Sequence, residues 1–111
     1  MEHFSTYYLK QKRKRLMQQL EKLEPLVMRG SLIERYKKCG KTNCKCYTGK
    51  GHGPKYYLSI TLSKNNLVII YVPTDLKITV EQAILNYQKA KEILEQLSHV
   101  NRALLIKKQL V

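Results

Sequence analysis

The N-terminal part of the 111-residue chain repeats its leucines with the spacing of a helix. Leu9, Leu16, Leu20 and Leu23 follow one another at intervals of seven, four and three residues. Such spacing places all four side chains on one face of an α-helix. The pattern predicts a helix over residues 6–23, which Pro25 should end because proline cannot continue a helix.

The middle of the chain alternates with the period of two that is typical of strands. In residues 56–62 large apolar side chains occupy every even position, while Tyr57 and two hydroxyl residues lie between them. Residues 67–72 are apolar and mostly β-branched, and Pro73 follows them. We expect two strands joined by a hairpin turn at residues 64–66, with residues 31–38 also extended.

A long helix is predicted to close the chain. Thr79 and Gln82 match a capping box, and the helix should run from there to about Gln109. Its apolar stripe has heptad spacing and consists of Val80, Ala83, Tyr87, Ala90, Leu94, Leu97, Asn101 and Leu104. At about 1.5 Å per residue, this helix would outreach a domain of this size. We therefore expect the stretch from Val80 to Leu105 to form a homodimer or to dock on a partner, with Asn101 fixing the register.

This order of elements predicts an α+β fold. It consists of an N-terminal helix, a small antiparallel sheet of two or three strands with a Cys/His loop, and the long C-terminal helix. Residues 1–28 should form the basic N-terminal helix, and residues 29–111 a single compact domain. For the N-terminal helix, packing within the chain is favoured over packing across a dimer.

The charge of the chain indicates a binding partner. The chain has 21 Lys and Arg residues against 8 Asp and Glu, a formal net charge of +13. Residues 1–74 contain 15 of these basic and 4 of these acidic residues. A positive charge concentrated in this way indicates a polyanionic partner.

The densest positive charge lies in residues 10–15. Lys10, Lys12, Arg13, Lys14 and Arg15 provide five positive charges there, which suits phosphate binding. The alternative is an ordinary solvated helix face. Arg13 falls on the leucine face, so we expect this turn to stay unpacked, because burying a guanidinium is costly.

A second basic region is interleaved with tyrosines. Its positive residues are Arg35, Lys37, Lys38, Lys41, Lys45, Lys50 and Lys55. Aromatic rings beside such charges can stack on bases while the charges bind phosphates. For Tyr36 and Tyr56 ordinary packing is the better interpretation, whereas for Tyr47 and Tyr57 packing and base stacking are both open.

The cysteines suggest a metal site. Cys39, Cys44, Cys46 and His52 have the spacing C-x4-C-x-C-x5-H within a glycine-rich segment, residues 39–54, that predicts a loop. Three thiolates and an imidazole are a suitable set of ligands for structural zinc. The spacing differs from the usual C-x2-C pairs, and the alternative is three reduced cysteines in a basic loop. A disulfide framework is not expected, because three cysteines cannot all pair within one chain.

Residues 29–46 read R-G-S-L-I-E-R-Y-K-K-C-G-K-T-N-C-K-C, and residues 51–58 read G-H-G-P-K-Y-Y-L. Together they resemble a small uncharacterised bacterial and archaeal family with the motifs R-G-S-L-x-E-R-Y-x-x-C-G-K-x-N-C-x-C and G-H-G-P-x-Y-Y-L. The resemblance extends over about residues 29–105. Members of that family are often found near transposase-like mobile-element genes, which implies a nucleic-acid setting.

An enzyme is not expected. Residues 36–74 contain no carboxylate, and neither a phosphate-binding loop nor a dinucleotide-binding motif is present. Cys44 or Cys46 with His52 could imitate a nucleophilic pair, but these residues are better explained as metal ligands. We also find no apolar run of about 18 residues and no secretory signal, and expect a soluble, cytoplasmic protein.

The sequence therefore predicts a small basic nucleic-acid-binding protein, with DNA favoured over RNA. It would be stabilised by zinc and be accessory or regulatory to a mobile genetic element. The alternative is a protein-interaction subunit that docks on a larger enzyme through its long C-terminal helix. In that case the basic surface would serve only the assembly.

Overall fold

The structure is a computed structural model that describes residues 4–37 and 52–111, apart from the side chains of residues 37, 52 and 53. Its elements are helix α1 (Thr6–Glu21), strands β1 (Ser31–Lys37), β2 (His52–Ser63) and β3 (Asn66–Val72), and helix α2 (Lys77–Ile106). The predicted α+β fold is confirmed.

The three strands form one antiparallel sheet in the order β1-β2-β3. Asn65 has a φ of 75° in the turn between β2 and β3, as expected for the predicted hairpin. The β2 strand begins at His52, so the predicted loop over residues 39–54 was too long at its end. The β1–β2 register shifts between Arg35 and Lys37, an irregularity of the kind that admits a proline such as Pro54 into a strand.

The chain divides into two compact units, which differ from the division expected from the sequence. The helical unit consists of Met1–Val27 and Leu85–Val111, and the sheet unit consists of Met28–Ile84. The N-terminal helix thus shares its unit with the larger part of α2 instead of standing apart from a single domain.

The helical unit has a core formed by α1 and the C-terminal part of α2. Its buried members are Leu9, Leu16, Leu97, Val100, Ala103 and Leu104. The leucine face of α1 is therefore satisfied within the chain, which confirms that prediction. Serine at position 5 caps α1, because its side-chain oxygen accepts a hydrogen bond from the backbone N–H of Tyr8.

The expectation that the turn around Arg13 stays unpacked was wrong. Leu9 and Leu16, on either side of it along the same face, are both buried. The Nη1 atom of Arg13 donates hydrogen bonds to Oδ1 of Asn101 at 3.0 Å and to the backbone oxygen of Leu110 at 2.9 Å. The guanidinium can enter the helix–helix contact because protein acceptors replace its water.

The buried positions of α2 differ from the apolar stripe that the sequence predicted. Leu94 was assigned to the stripe but is 54% exposed, whereas Val100 was left out and is fully buried. A heptad repeat assumes 3.5 residues per turn, but a straight helix has 3.6, so the buried positions shift over several turns. Asn101 faces Arg13 of its own chain, as described above.

Both ends of α2 also differ from the prediction. The helix begins at Lys77, so Thr79 lies inside its first turn and the capping box was wrong. A 3-10 turn, Thr74–Leu76, leads into the helix, and the N–H of Leu76 donates to the oxygen of Pro73. At the other end Lys108 has a φ of 57°, and Gln109 N–H bonds Leu104 O at 2.9 Å. This is a Schellman motif, which ends the helix at Ile106.

The sheet unit is built on one face of its sheet, which we call the inner face. Tyr56, Leu58 and Val72 are buried there together with Val80 from the first turns of α2. Gly30, with a φ of 150°, brings the chain close to β2, and a Cβ atom there would lie 2.9 Å from the backbone oxygen of Ser59. Within the described residues, neither helix has the length and apolar character needed to cross a membrane.

Candidate nucleic-acid interface

The opposite face of the sheet, which we call the outer face, is defined by the strand register. Residues directly opposite one another in antiparallel strands project to the same side. Ile33, Tyr57 and Tyr71 form one row across the three strands. Arg35 and Lys55 form a second row beside it. The sheet therefore places an aromatic row next to a basic pair.

The rings and the guanidinium on this face are in contact. The ring centroids of Tyr57 and Tyr71 lie 5.7 Å apart in an edge-to-face arrangement. The guanidinium carbon of Arg35 lies 5.3 Å from the centroid of the Tyr57 ring, a cation–π geometry. Tyr71 is 54% exposed, whereas Tyr57 is partly buried. The more open ring is therefore that of Tyr71.

The described positions of the outer face include positive charge and no carboxylate. Its ten alternating positions are Ser31, Ile33, Arg35, Lys55, Tyr57, Ser59, Thr61, Leu67, Ile69 and Tyr71. The acidic residue of β1, Glu34, belongs to the other face. There its carboxylate accepts a hydrogen bond from the Tyr36 hydroxyl at 2.8 Å, and this bond raises the pKa of Tyr36.

The structure separates the tyrosines that the sequence had grouped together. Tyr56 is buried on the inner face, with the ammonium of Lys77 5.0 Å from its ring centroid, which confirms the packing interpretation. Tyr36 lies on the same face of the sheet as Glu34, the inner face. Tyr57 lies on the outer face, as expected from its alternation with Leu58. Tyr47 lies outside the described residues.

Sequence reasoning missed Tyr71. The strand of residues 67–72 is apolar on both faces, so alternation alone did not single out this residue. The pairing of position 71 with position 57 depends on a register shift between Thr61 and Ser63, because the pairing of Ser63 with Asn66 at the turn would by itself place Tyr71 opposite Leu58. The two tyrosines share a face because of this irregularity, which the alternation of the sequence does not reveal.

The basic tract of α1 belongs to the helical unit. Lys14 and Arg15 are exposed, and Lys10 and Lys12 are partly exposed. Arg13 is bound to Asn101 and Leu110, so we leave it out of the candidate surface. The tract and the outer face are thus carried by different compact units.

Most of the predicted metal site lies outside the described residues. This applies to Cys39, Cys44 and Cys46, and to the basic residues Lys38, Lys41, Lys45 and Lys50. The described residues contain no group of three potential metal-ligating side chains. The backbone does show that His52 opens β2 and pairs with Lys37, which is two positions before Cys39 in the chain.

Fold and surface together define a small basic α+β protein with an open aromatic sheet face. The chain belongs to a family described as a domain of unknown function, DUF6788, whose model matches residues 7–82. This match includes α1 and its basic tract, which the sequence resemblance left out, and all three strands. No curated protein and no solved structure matches the chain significantly.

Proposed function

We propose that this protein is a non-enzymatic nucleic-acid-binding protein that uses the outer face of its sheet unit. The observation that carries the proposal is the contact group of Tyr57, Tyr71 and Arg35 on a sheet face where, among the described residues, Tyr71 and Arg35 are exposed. The net charge of +13 supports a phosphate-bearing ligand.

Each part of the group has a role in this proposal. The open ring of Tyr71 is the platform for a base, and stacking of this kind contributes about 1–3 kcal/mol per base. Tyr57 supports that ring by its edge-to-face contact. Arg35 and its neighbour Lys55 provide the positive charge for the adjoining phosphates.

Single strands suit this surface better than duplexes. A flat sheet face with exposed rings needs bases whose π-faces are accessible, and in a duplex those faces are stacked on one another. Single-stranded DNA and RNA both provide such bases. The preference for DNA and the link to a mobile element stay predictions from the sequence and its resemblance.

Zinc is the second part of the proposal, and it depends on the sequence. Cys39, Cys44, Cys46 and His52 would hold the ion and order the segment that joins β1 to β2. The pairing of Lys37 with His52 supports this. It places the proposed ligand His52 opposite a residue that is two positions before the proposed ligand Cys39 in the sequence. Elemental analysis should find one zinc per chain in the wild type and none in Cys44→Ser. A wild type purified without stoichiometric metal would refute this part.

The binding proposal is tested by fluorescence anisotropy with a labelled single-stranded oligonucleotide and its duplex. Tyr71→Ala should weaken single-strand binding about 5- to 150-fold, which corresponds to the loss of one stacked base. Tyr7 of α1 is 75% exposed and lies outside the sheet unit, so Tyr7→Ala is the matched control and should change binding less than about twofold.

Salt dependence separates stacking from charge. Tyr71→Ala should leave the slope of log affinity against log salt unchanged, whereas Arg35→Gln should reduce it by about 0.7. If both variants bind like the wild type but Lys14→Gln with Arg15→Gln does not, the binding surface lies on α1 instead. A wild type that binds no single strand at low salt would exclude the function proposed here.

The second candidate, a docking subunit, has one observation in its favour. Leu94 and Leu105 are both exposed and lie on the same side of α2, since eleven residues make about three turns. The surface between them is polar, because Ser98 accepts a hydrogen bond from Arg102 at 2.7 Å. We therefore favour the outer face of the sheet, and loss of partner binding in Leu94→Asp would favour the helix.

A further inference from the structure

The strand β3 is an edge strand of the described sheet, and the register shift in its pairing with β2 lies between Thr61 and Ser63 of β2, next to the hairpin turn, and not in β3 itself. It lies at one side of the three-stranded sheet, and its seven residues, Asn-Leu-Val-Ile-Ile-Tyr-Val, contain neither charge nor proline. Proteins usually block edges with charged side chains, prolines or bulges, because unpaired backbone groups invite another strand. The other edge strand, β1, has Glu34, Arg35 and Lys37.

The apolar side chains of β3 are also exposed. Leu67, Ile69 and Tyr71 are exposed on the outer face, and Ile70 is exposed on the inner face. Three consecutive exposed residues of this kind, at positions 69–71, are unusual for an edge strand that pairs with β2 alone in the described sheet. The contrast with β1 indicates that β3 is adapted to pair with another strand.

We propose that β3 pairs in antiparallel fashion with β3 of a second copy of this chain, which gives one continuous six-stranded sheet. This inference goes beyond the proposed function and does not depend on it. The two-fold axis would pass through the sheet at Ile69, the central residue of Asn66–Val72.

This register pairs every residue of the strand with an apolar or neutral neighbour. Ile69 lies opposite Ile69 of the second copy, Leu67 opposite Tyr71, and Val68 opposite Ile70. An axis perpendicular to the sheet keeps the two outer faces on the same side, so inward and outward alternation is preserved across the junction. Pairs of aromatic and β-branched or aliphatic side chains are favourable in such positions.

The charges beyond the strand ends fit the same register. Lys64 precedes β3 in the hairpin turn, and Asp75 follows it in the 3-10 turn. Antiparallel pairing about Ile69 brings Lys64 of each copy to the level of residues 74–75 of the other. Asp75 is the first acidic residue after Glu34 in the sequence. In this register its carboxylate lies near Lys64 of the other copy. Two opposite-charge pairs would then offset part of the repulsion between two basic chains.

The first test is sedimentation velocity of the wild type without nucleic acid. We expect a concentration-dependent equilibrium between monomer and dimer. Ile69→Asp places two carboxylates face to face on the axis and should raise the dissociation constant at least about tenfold. Ser31 lies at the same level of the sheet on the opposite edge strand, so Ser31→Asp is the matched control and should change it less than about twofold. Circular dichroism confirms that both variants fold.

The second test is a charge exchange that depends on the register. Lys64→Glu and Asp75→Lys should each weaken the dimer, because each creates like-charge pairs across the junction. The double variant should regain the wild-type dissociation constant within about threefold, which is the signature of a direct coupling. A double variant weaker than both single variants would overturn the register.

Three results would overturn the proposal itself. They are a wild type that is monomeric at all accessible concentrations, a dimer that Ile69→Asp leaves intact, and a dimer that Leu94→Asp abolishes. The last result would place the contact on α2. Because the measurements contain no nucleic acid, a failure to dimerise and a failure to bind oligonucleotide are separate outcomes.

Discussion

The helical unit and the sheet unit differ in what they do with their apolar residues. In the helical unit the apolar faces of α1 and α2 are buried against each other, as in the contact that includes Leu9 and Leu104. In the described part of the sheet unit the buried cluster lies on the inner face, and Ile69 and Tyr71 are exposed on the outer face. Packing therefore accounts for the apolar pattern of the first unit but leaves part of the second unexplained. We propose that these exposed apolar residues of the sheet unit take part in binding.

The units also differ in their internal polar groups. In the helical unit Arg13 bonds Asn101, and the buried amide of Asn86 donates to the backbone oxygen of Leu26 at 3.0 Å. Such bonds fit only one alignment of the elements, and they therefore specify the register of the helical contact. In the sheet unit the backbone pairing of the strands specifies the register, and its buried cluster is formed by Tyr56 and aliphatic side chains.

The largest effect is expected from opening the core of the helical unit. Leu104 is fully buried, so Leu104→Ala should reduce the free energy of unfolding by about 2–5 kcal/mol. Leu105 is 60% exposed, and Leu105→Ala is the matched control with an effect below about 0.5 kcal/mol. Urea denaturation measures both. Equal effects would show that α1 and α2 do not pack as described.

The next effect should arise in the sheet unit. Gly30→Ala imposes a side chain where φ is 150° and where the new Cβ meets the Ser59 backbone oxygen. Backbone strain of this kind costs about 1–3 kcal/mol. Relative to the wild type, the variant should lose hydrogen-exchange protection in β1 and β2 but not in residues 6–21. The exposed neighbour Ser31→Ala should have no comparable effect, and uniform loss over both units would remove the distinction between them.

A smaller effect is expected for the polar pair of the helical unit. Arg13→Leu and Asn101→Leu should each destabilise by about 1–2 kcal/mol, because the first removes the donor to the Asn101 amide oxygen and the second leaves Arg13 with the Leu110 oxygen as its acceptor. The double variant should be less destabilised than the sum of the two, since both partners are then apolar. Strict additivity in thermal denaturation would show that the pair is not coupled.

The smallest effect should be a gain. Lys108 ends α2 with a φ of 57°, a conformation that glycine adopts without strain. Lys108→Gly should therefore stabilise the helical unit by about 0.5–1 kcal/mol. Lys107 has no positive φ, so Lys107→Gly is the control and should be neutral or destabilising. A destabilised Lys108→Gly would contradict the helix end described here.

The sequence predicted the elements because periodicity reports which side chains are buried. It did not predict the start of α2, because the 3-10 turn after Pro73 satisfies backbone groups that a capping box would otherwise satisfy. It placed Leu94 instead of Val100 in the contact, since the heptad assumption accumulates a phase error along the helix. Tyr71 depends on strand register, which is a non-local property that no single segment reveals.

The pairing of Lys37 with His52 has a consequence for chain entropy. Once β1 and β2 associate, the two ends of the connection over residues 38–51 are already held together. The entropic cost of closing a loop grows only by about 0.6 kcal/mol per doubling of its length. Because strand pairing already closes this connection, an ion bound by Cys39 and His52 would add little stability by closing it again. In zinc fingers, by contrast, metal binding drives folding itself. For the proposed zinc site we therefore expect chelation to release the metal while the three strands stay paired, which differs from the sequence-based expectation that zinc stabilises the protein.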